Sequence, residues 1–351
     1  MTAAVQPRDE PAYISLLKPS LVGQLYSWGY LCLFVLGFTG NISSLLTFTR
    51  PTLRSVSTGL LFIILASSDT IFLLVSIIDF LDFGLAIPLV SYVNYTILCR
   101  VRLFTASMTQ ICSAWVLVVI SLDRWIRTRF PYKSSVICTQ KKALLAVAII
   151  LILDIGIHAV MLTPLVGTIY PGVALLACGP ATWDYLYFYY ITWTVIQVFI
   201  NCLVPVIVML FFLIDMFIRI RAQKRNAGQQ IEVQSRGRIS NPAVRRNNRL
   251  QTQLFVMMLS SIAIFLATNL PVAVYRTVFP RQVLNIPITE YSSVAKLSAI
   301  FQVIWSVNYT INFYIHCLTS TLFRREFRKC FGSLCRSRDT QVTPVTFITV
   351  R

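Results

Sequence analysis

Long apolar runs, separated by short polar and basic segments, dominate this chain. A bilayer core about 30 Å thick is crossed by roughly 20 helical residues, because a helix rises about 1.5 Å per residue. Seven stretches reach that length. The first carries no charge between Lys18 and Arg50, and its apolar core starts near Tyr26. The second runs from about Thr58 to Phe80 around Asp69, the third from Leu103 to Leu122, and the fourth from Ala143 to about Leu165 around Asp154. Tyr185 to Ile214, Leu250 to Tyr275 and Leu297 to Phe323 supply the rest. In lipid each segment must satisfy its own backbone hydrogen bonds, so each predicts a helix; the alternating, roughly 10-residue strands of a barrel look different. The pattern predicts an all-α membrane protein: a seven-transmembrane helix bundle over 26–320, with an N-terminal segment 1–25 before it. Residues 321–351 follow as a short amphipathic eighth helix and a tail. The first residues lack the apolar core of a cleavable signal, which leaves the first span to direct insertion.

Composition sharpens this. The chain has 351 residues, 56% hydrophobic and 13% charged, with a mean hydropathy of +0.70. Soluble domains carry about 25% charged residues, so that class is excluded, and disorder is excluded by the apolar content. The 31 Lys and Arg against 13 Asp and Glu give +18. On a soluble protein that excess would point to nucleic acid. Here it lies almost entirely on one side of the spans. Arg127, Arg129, Lys133, Lys141 and Lys142 follow the third span, a basic segment fills 223–249, and Arg324, Arg325, Arg328 and Lys329 follow the seventh. The opposite loops hold little beyond Asp82, Asp184, Arg281 and Glu290. Lys and Arg concentrate on the cytoplasmic side, so the expected topology is a multi-pass plasma-membrane protein with its N-terminus outside and C-terminus inside. The basic face then meets anionic lipid rather than nucleic acid, and 223–249 reads as a mobile cytoplasmic loop.

Ionisable groups inside spans are expensive and mark function. Asp69 lies at the depth of Ser113, Asn308 and Asn312, with Asn41 nearby. That set makes either a site for a small hydrated cation or a polar latch built on a protonated Asp69. Asp123-Arg124-Trp125 closes the third span, either as an anchor to the headgroups or as a switch. Pro205 and Pro271 remove backbone donors and predict kinks, with Phe265 and Asn269 flanking the second. Cys99 and Cys178 face the oxidising side, where a disulfide clamping the loop is reasonable. Cys330 and Cys335 are candidate palmitoylation sites, with free thiols as the alternative. Asn94 heads an outward glycosylation sequon, and Ser240 lies in a basic context that kinases favour. His158 and His316 fall in different spans with no metal cluster or nucleophile–base pair, so no enzyme is expected, and no cofactor beyond the small cation that Asp69 could hold.

In order and spacing these residues resemble the class A, rhodopsin-like G-protein-coupled receptors from about Tyr26 to Phe331. Gly40-Asn41, Leu65-Ala66-Ser67-Ser68-Asp69, Cys99 with Cys178, and Ser121-Leu122-Asp123-Arg124-Trp125 carry the resemblance. So do Pro205, Phe265 with Pro271, Asn308 with Asn312, and Phe323-Arg324. The resemblance implies a sodium pocket of Asp69, Ser113, Asn308 and Asn312. It implies that Arg124 engages the α subunit of a heterotrimeric G protein, with Asp123 as its resting partner. Activation then swings the sixth span outward, and arrestin and a receptor kinase are implied as further partners. There are departures. Trp125 replaces the usual Tyr, and Thr268-Asn269-Leu270-Pro271 lacks the family's tryptophan. Asn312-Phe313-Tyr314-Ile315-His316 lacks the proline that kinks the seventh span and the tyrosine after it. These variants are similar to those of invertebrate neuropeptide receptors of the FMRFamide-receptor-like group.

Ser306 stands at the retinal-lysine position and Ala106 at the amine-binding position, so neither an opsin nor a monoamine receptor is expected. Asp79, Gln110, Gln197, Arg276 and Gln302 remain in the outer half. That mixed-charge cleft suits a short peptide with an amidated or basic terminus, with Asp79 as the cation's partner. A small-molecule transporter or channel is the rival reading. It needs a continuous polar path, and the absence of internal repeats weighs against it.

Overall fold

The computed structural model describes residues 18–54, 56–169, 173, 177–233, 242–278 and 288–339. Ser240, Arg281 and both termini lie outside that set. Helix α1 spans Ser20–Phe48, α2 Ser57–Gly84, α3 Tyr95–Arg129 and α4 Gln140–Leu162. Helix α5 opens at Trp183 and ends in a stretch Val204–Val233, and α6 is Pro242–Val278. Helix α7 comes in two pieces, Ile288–Val307 and Asn312–Thr319, and α8 is Thr321–Asp339. Between α4 and α5 a small antiparallel hairpin pairs β1 (Val166–Thr168) with β2 (Cys178–Pro180). Among the described residues six helices, α1 to α6, are long and apolar enough to cross a membrane. The two pieces of α7 complete the seven-helix bundle.

Helix ends differ from the hydropathy pattern wherever charge misleads it. Helix α3 begins at Tyr95 rather than Leu103, so Arg100 and Arg102 are helical; Asn94 accepts from the Ile97 amide at 3.2 Å and caps its start. The 223–249 segment is not one long loop. Helix α5 continues to Val233 and α6 starts at Pro242, so polar, basic sequence extends both helices beyond the apolar runs.

Which residues face inward follows from helical spacing. In α4 the buried residues are Ala143, Val147, Asp154, His158 and, in its last turn, Met161. Its other faces expose Leu145, Ile152 and Leu153, as lipid contact requires. Gly37 lets α1 approach closely, because a Cβ there would meet the Leu73 side chain and Thr310 Cγ2 at 2.8 Å. The core falls into three layers along the bundle. One surrounds the disulfide end, with Tyr26, Tyr30, Tyr95 and Tyr291. A thin middle layer holds Phe72, Val272, Trp305 and Tyr309. The third fills the basic end with Leu61, Leu117, Ile120, Met209, Met257, Met258 and Phe265.

The prolines take different forms. Before Pro205 the backbone widens into a π-helical turn, Phe199–Leu203, a common way to absorb a missing donor. Helix α6 runs through Pro271 without a break. Thr268 Oγ1 donates to the Ile264 carbonyl at 2.8 Å, and Asn269 Nδ2 to the Phe265 carbonyl at 2.9 Å. The seventh helix breaks although it lacks the family's proline. Residues 308–311 form turns closed by short-range bonds such as Asn308 N–H to the Trp305 carbonyl, 3.2 Å. Thr310 Oγ1 donates to the Val307 carbonyl at 2.8 Å, and Asn41 Nδ2 donates to the Tyr309 carbonyl at 3.1 Å. Side chains therefore supply the break that proline supplies elsewhere. The expectation that the kink is lost is corrected.

Candidate functional site

At the disulfide end the helices part around a cavity of about 320 Å³. All five residues expected in the outer cleft line it: Asp79, Gln110, Gln197, Arg276 and Gln302. Three further groups were hidden from the pattern. Arg102, placed outside the apolar run by hydropathy, lines the wall and forms a salt bridge with Asp79. Its guanidinium also stands 5.6 Å over the Phe83 ring. The acid expected to meet a ligand's cation is therefore already paired across α2 and α3. Trp305 lines the cavity under Arg276, whose guanidinium stacks 4.7 Å over its ring. His158 lies just behind the wall. Its Nδ1 is 2.8 Å from Asp154 Oδ1, and its Nε2 is 3.3 Å from the amide nitrogen of Gln197. With Nδ1–H turned to Asp154, Nε2 accepts from Gln197 and holds that side chain at the cavity.

The mouth is fixed by a disulfide between Cys99 and Cys178, which ties α3 to β2. Arg100 Nε donates to the Val166 carbonyl at 2.8 Å, and Thr96 and Thr168 hydroxyls meet at 3.0 Å, so the hairpin is sewn to α3 beside it. Tyr95 donates its hydroxyl to Asp82.

Midway along the bundle Asp69 is fully buried. Ser113 Oγ donates to one carboxylate oxygen at 2.6 Å and Asn312 Nδ2 to the other at 2.8 Å. Asn312 also donates to the Asn308 carbonyl at 3.4 Å, and Ser68 lies 3.3 Å from Ser113. The four expected residues thus meet, joined by Ser68. Carboxylate, hydroxyl and carbonyl oxygens are the donors that a hard cation takes, so a sodium ion fits this set chemically.

At the basic end the expected Asp123–Arg124 pair does not form. Asp123 instead accepts from Ser57 Oγ and Thr58 Oγ1, both at 2.6 Å, and from Arg127 Nε at 3.0 Å. Helix geometry explains the correction: residues four apart share a face, whereas consecutive residues point about 100° apart. Arg127 also donates to Ser57 Oγ at 2.8 Å. Arg124 lines a closed space of only about 20 Å³ with Leu117, Met209, Met257, Met258 and Ile262. Trp125 Nε1 donates at 2.9 Å to Asp215, which also pairs with Arg219 at 3.1 Å. The pattern missed Asp215 because it sits one residue past the charge-free stretch of α5. A signal was present: Asp123–Arg127, Asp154–His158 and Asp215–Arg219 are all acid–base pairs at i,i+4. Phe265 is buried above this region. Cys330 is buried too, its Sγ 3.8 Å from the Leu46 carbonyl on α1. The Cys335 side chain lies outside the described residues.

A family model described as "7 transmembrane receptor (rhodopsin family)" matches residues 40–316. The chain belongs to that family. The match runs from the Gly40-Asn41 pair through His316, so it takes in Asp69, Arg124 and the five expected polar residues of the cavity together. This receptor is similar to an FMRFamide peptide receptor of Caenorhabditis elegans, 30% identical over 37% of the chain and 31% of that protein. It is also similar to an FMRFamide receptor of Drosophila melanogaster, 24% identical over 87% of the chain and 53% of that protein. The chain thus spans about half or less of the length of these curated relatives.

Proposed function

We propose that this receptor binds a short neuropeptide at its disulfide end and activates a heterotrimeric G protein at its basic end. The observation that carries the reading is the cavity of about 320 Å³ at one end and the closed pocket at Arg124 at the other. The first is large enough to take a few side chains of a peptide. The second must open to admit a protein partner, and outward movement of α6 past Met257, Met258 and Ile262 would open it. The FMRFamide receptors among its relatives make an amidated peptide the first ligand class to try. Because Asp79 is held by Arg102, a ligand cation would have to share that carboxylate. Arg276, Gln110, Gln197 and Gln302 offer the remaining polar contacts.

In this reading the disulfide end faces outside and the basic end the cytoplasm of the plasma membrane, following the placement of Lys and Arg. Asp69 and Ser113 would hold the sodium ion, which would supply a positive charge to a buried carboxylate. Pro205 and Pro271 are the proposed hinges, and arrestin, a receptor kinase and anionic lipid are the proposed further partners on the basic face. The apolar wall around Arg124 supports a receptor over a channel, which needs a continuous wet path.

The test is expression of the full chain in cells challenged with FMRFamide and a library of related amidated peptides, reading calcium and cAMP. Asp69→Ala and Arg124→Ala should each reach the surface and lose most of the response. Normal responses in both variants, or ion flux without G-protein activation, would overturn the mechanism.

A further inference from the structure

We propose that Trp305 carries occupancy of the cavity to the proline turn of α6, through its hydrogen bond to Asn269. The inference rests on the receptor reading above and adds the residue through which it works.

Trp305 is only 6% exposed, yet it touches four things at once. Toward the cavity its ring carries the Arg276 guanidinium at 4.7 Å. Its Nε1–H donates at 2.8 Å to Asn269 Oδ1, two residues before Pro271. Its edge meets Phe72 of α2 at 5.7 Å between ring centroids. Tyr309, in the broken turn of α7, lies at 5.9 Å and stacks on Phe72 at 3.9 Å. The Asn269 amide is held at both ends. An indole nitrogen can only donate, so Oδ1 faces Trp305, while Nδ2 donates to the Phe265 carbonyl at 2.9 Å. A shift of the indole therefore pulls directly on the α6 backbone one turn below the cavity.

The ligand chemistry follows. Among the described residues Asp79 is engaged by Arg102, and no carboxylate stands in ion-pair range of Arg276. A guanidinium has donors and no acceptor, so the ligand group that meets Arg276 is an acceptor: a carboxylate or a peptide carbonyl. Drawing the guanidinium toward that group lifts it from the indole face. The bond to Asn269 belongs to the arrangement in which the Arg124 pocket is closed, so losing it favours the open one. One buried hydrogen bond corresponds to a factor of roughly 2 to 10 in such an equilibrium.

The experiment uses the full chain in cells with a G-protein activation sensor, normalised to surface receptor. Trp305→Phe keeps the aromatic shelf and removes the N–H; Asn269→Ala removes its acceptor. Each should raise agonist-free signalling roughly 2- to 10-fold, and the double variant should rise by clearly less than the two singles combined, because they share the Trp305–Asn269 bond, which Asn269→Ala removes together with the bond to the Phe265 carbonyl. Wild-type basal signalling in both singles, or additive effects in the double, would overturn the proposal. If Trp305→Phe fails to reach the surface, Asn269→Ala decides alone, and wild-type basal signalling in it overturns the proposal. FMRFamide applied to the wild-type chain separates the two readings: silence there removes the ligand class, while the basal comparison still decides the role of Trp305.

Discussion

The two ends of the bundle handle buried charge in opposite ways. At the disulfide end Asp79 on α2 pairs with Arg102 on α3, across a cavity wall. At the basic end Asp123 and Asp215 take their bases from their own helices, four residues on: Asp123–Arg127 and Asp215–Arg219. A pair between helices fixes their separation. A pair within one helix leaves neighbours free to move, so hydroxyls and an indole provide the contacts between helices: Ser57 and Thr58 to Asp123, and Trp125 to Asp215. The end that holds an open cavity is the braced one. The end proposed to open for a protein partner has hydroxyl, indole and guanidinium hydrogen bonds between helices in place of an ion pair, and methionine packing, which yields readily.

That contrast can be broken most forcefully at the mouth. The Cys99–Cys178 bond closes a sequence separation of 79 residues, and its loss costs about 4.5 kcal/mol in the chain-entropy account. Cys178→Ser should abolish surface expression or ligand response, as flow cytometry and a signalling assay would show. Full expression with normal response would mean that the hairpin's hydrogen bonds to α3 suffice.

The next largest effect lies in the Asp79–Arg102 pair. Arg102→Leu leaves Asp79 alone beside the cavity and should cost up to about 3 kcal/mol in the thermal stability of purified receptor. Replacing both residues with leucine should recover most of that loss. If the double variant is as unstable as the single, the bracing does not come from the ion pair.

At the opposite end the changes should be smaller in stability and larger in signalling. Trp125→Phe keeps the contact with Phe212 but removes the bond to Asp215, a loss of about 1 kcal/mol that should appear as raised basal activity. Arg219→Gln breaks a half-exposed i,i+4 pair and should change thermal stability by only about 0.3–0.5 kcal/mol. If Arg219→Gln matched Trp125→Phe, the within-helix pairs would matter more than their geometry suggests.

Much of the site was legible before any coordinates. The five outer polar residues share one cavity because charged and amide side chains in an apolar run are costly to expose to lipid, so they turn to the bundle interior. Asp69, Ser113, Asn308 and Asn312 meet for the same reason. Partners were harder to read. Arg124 follows Asp123 in sequence and looks like its mate, yet a helix turns about 100° between them. Arg102 and Asp215 stand just outside apolar runs, where hydropathy gives no reason to place them in the bundle, although a helix continues past the last apolar residue. Trp305 had no marker, since a tryptophan in a membrane span looks the same whether it faces lipid or a cavity.

The sequence by itself determined the number of crossings, their order and the sidedness of charge, because the cost of exposing polar backbone to lipid acts locally on each segment. It also determined which polar residues face inward. Only the tertiary structure decided who pairs with whom. Pairing depends on helix rotation and separation, fixed by contacts between residues far apart in sequence: Asp79 with Arg102, Asn269 with Trp305, and Asp69 with Asn312. The break in α7 belongs there as well. No proline announces it; Asn41 on α1 and Thr310 satisfy the freed backbone once the helices have met.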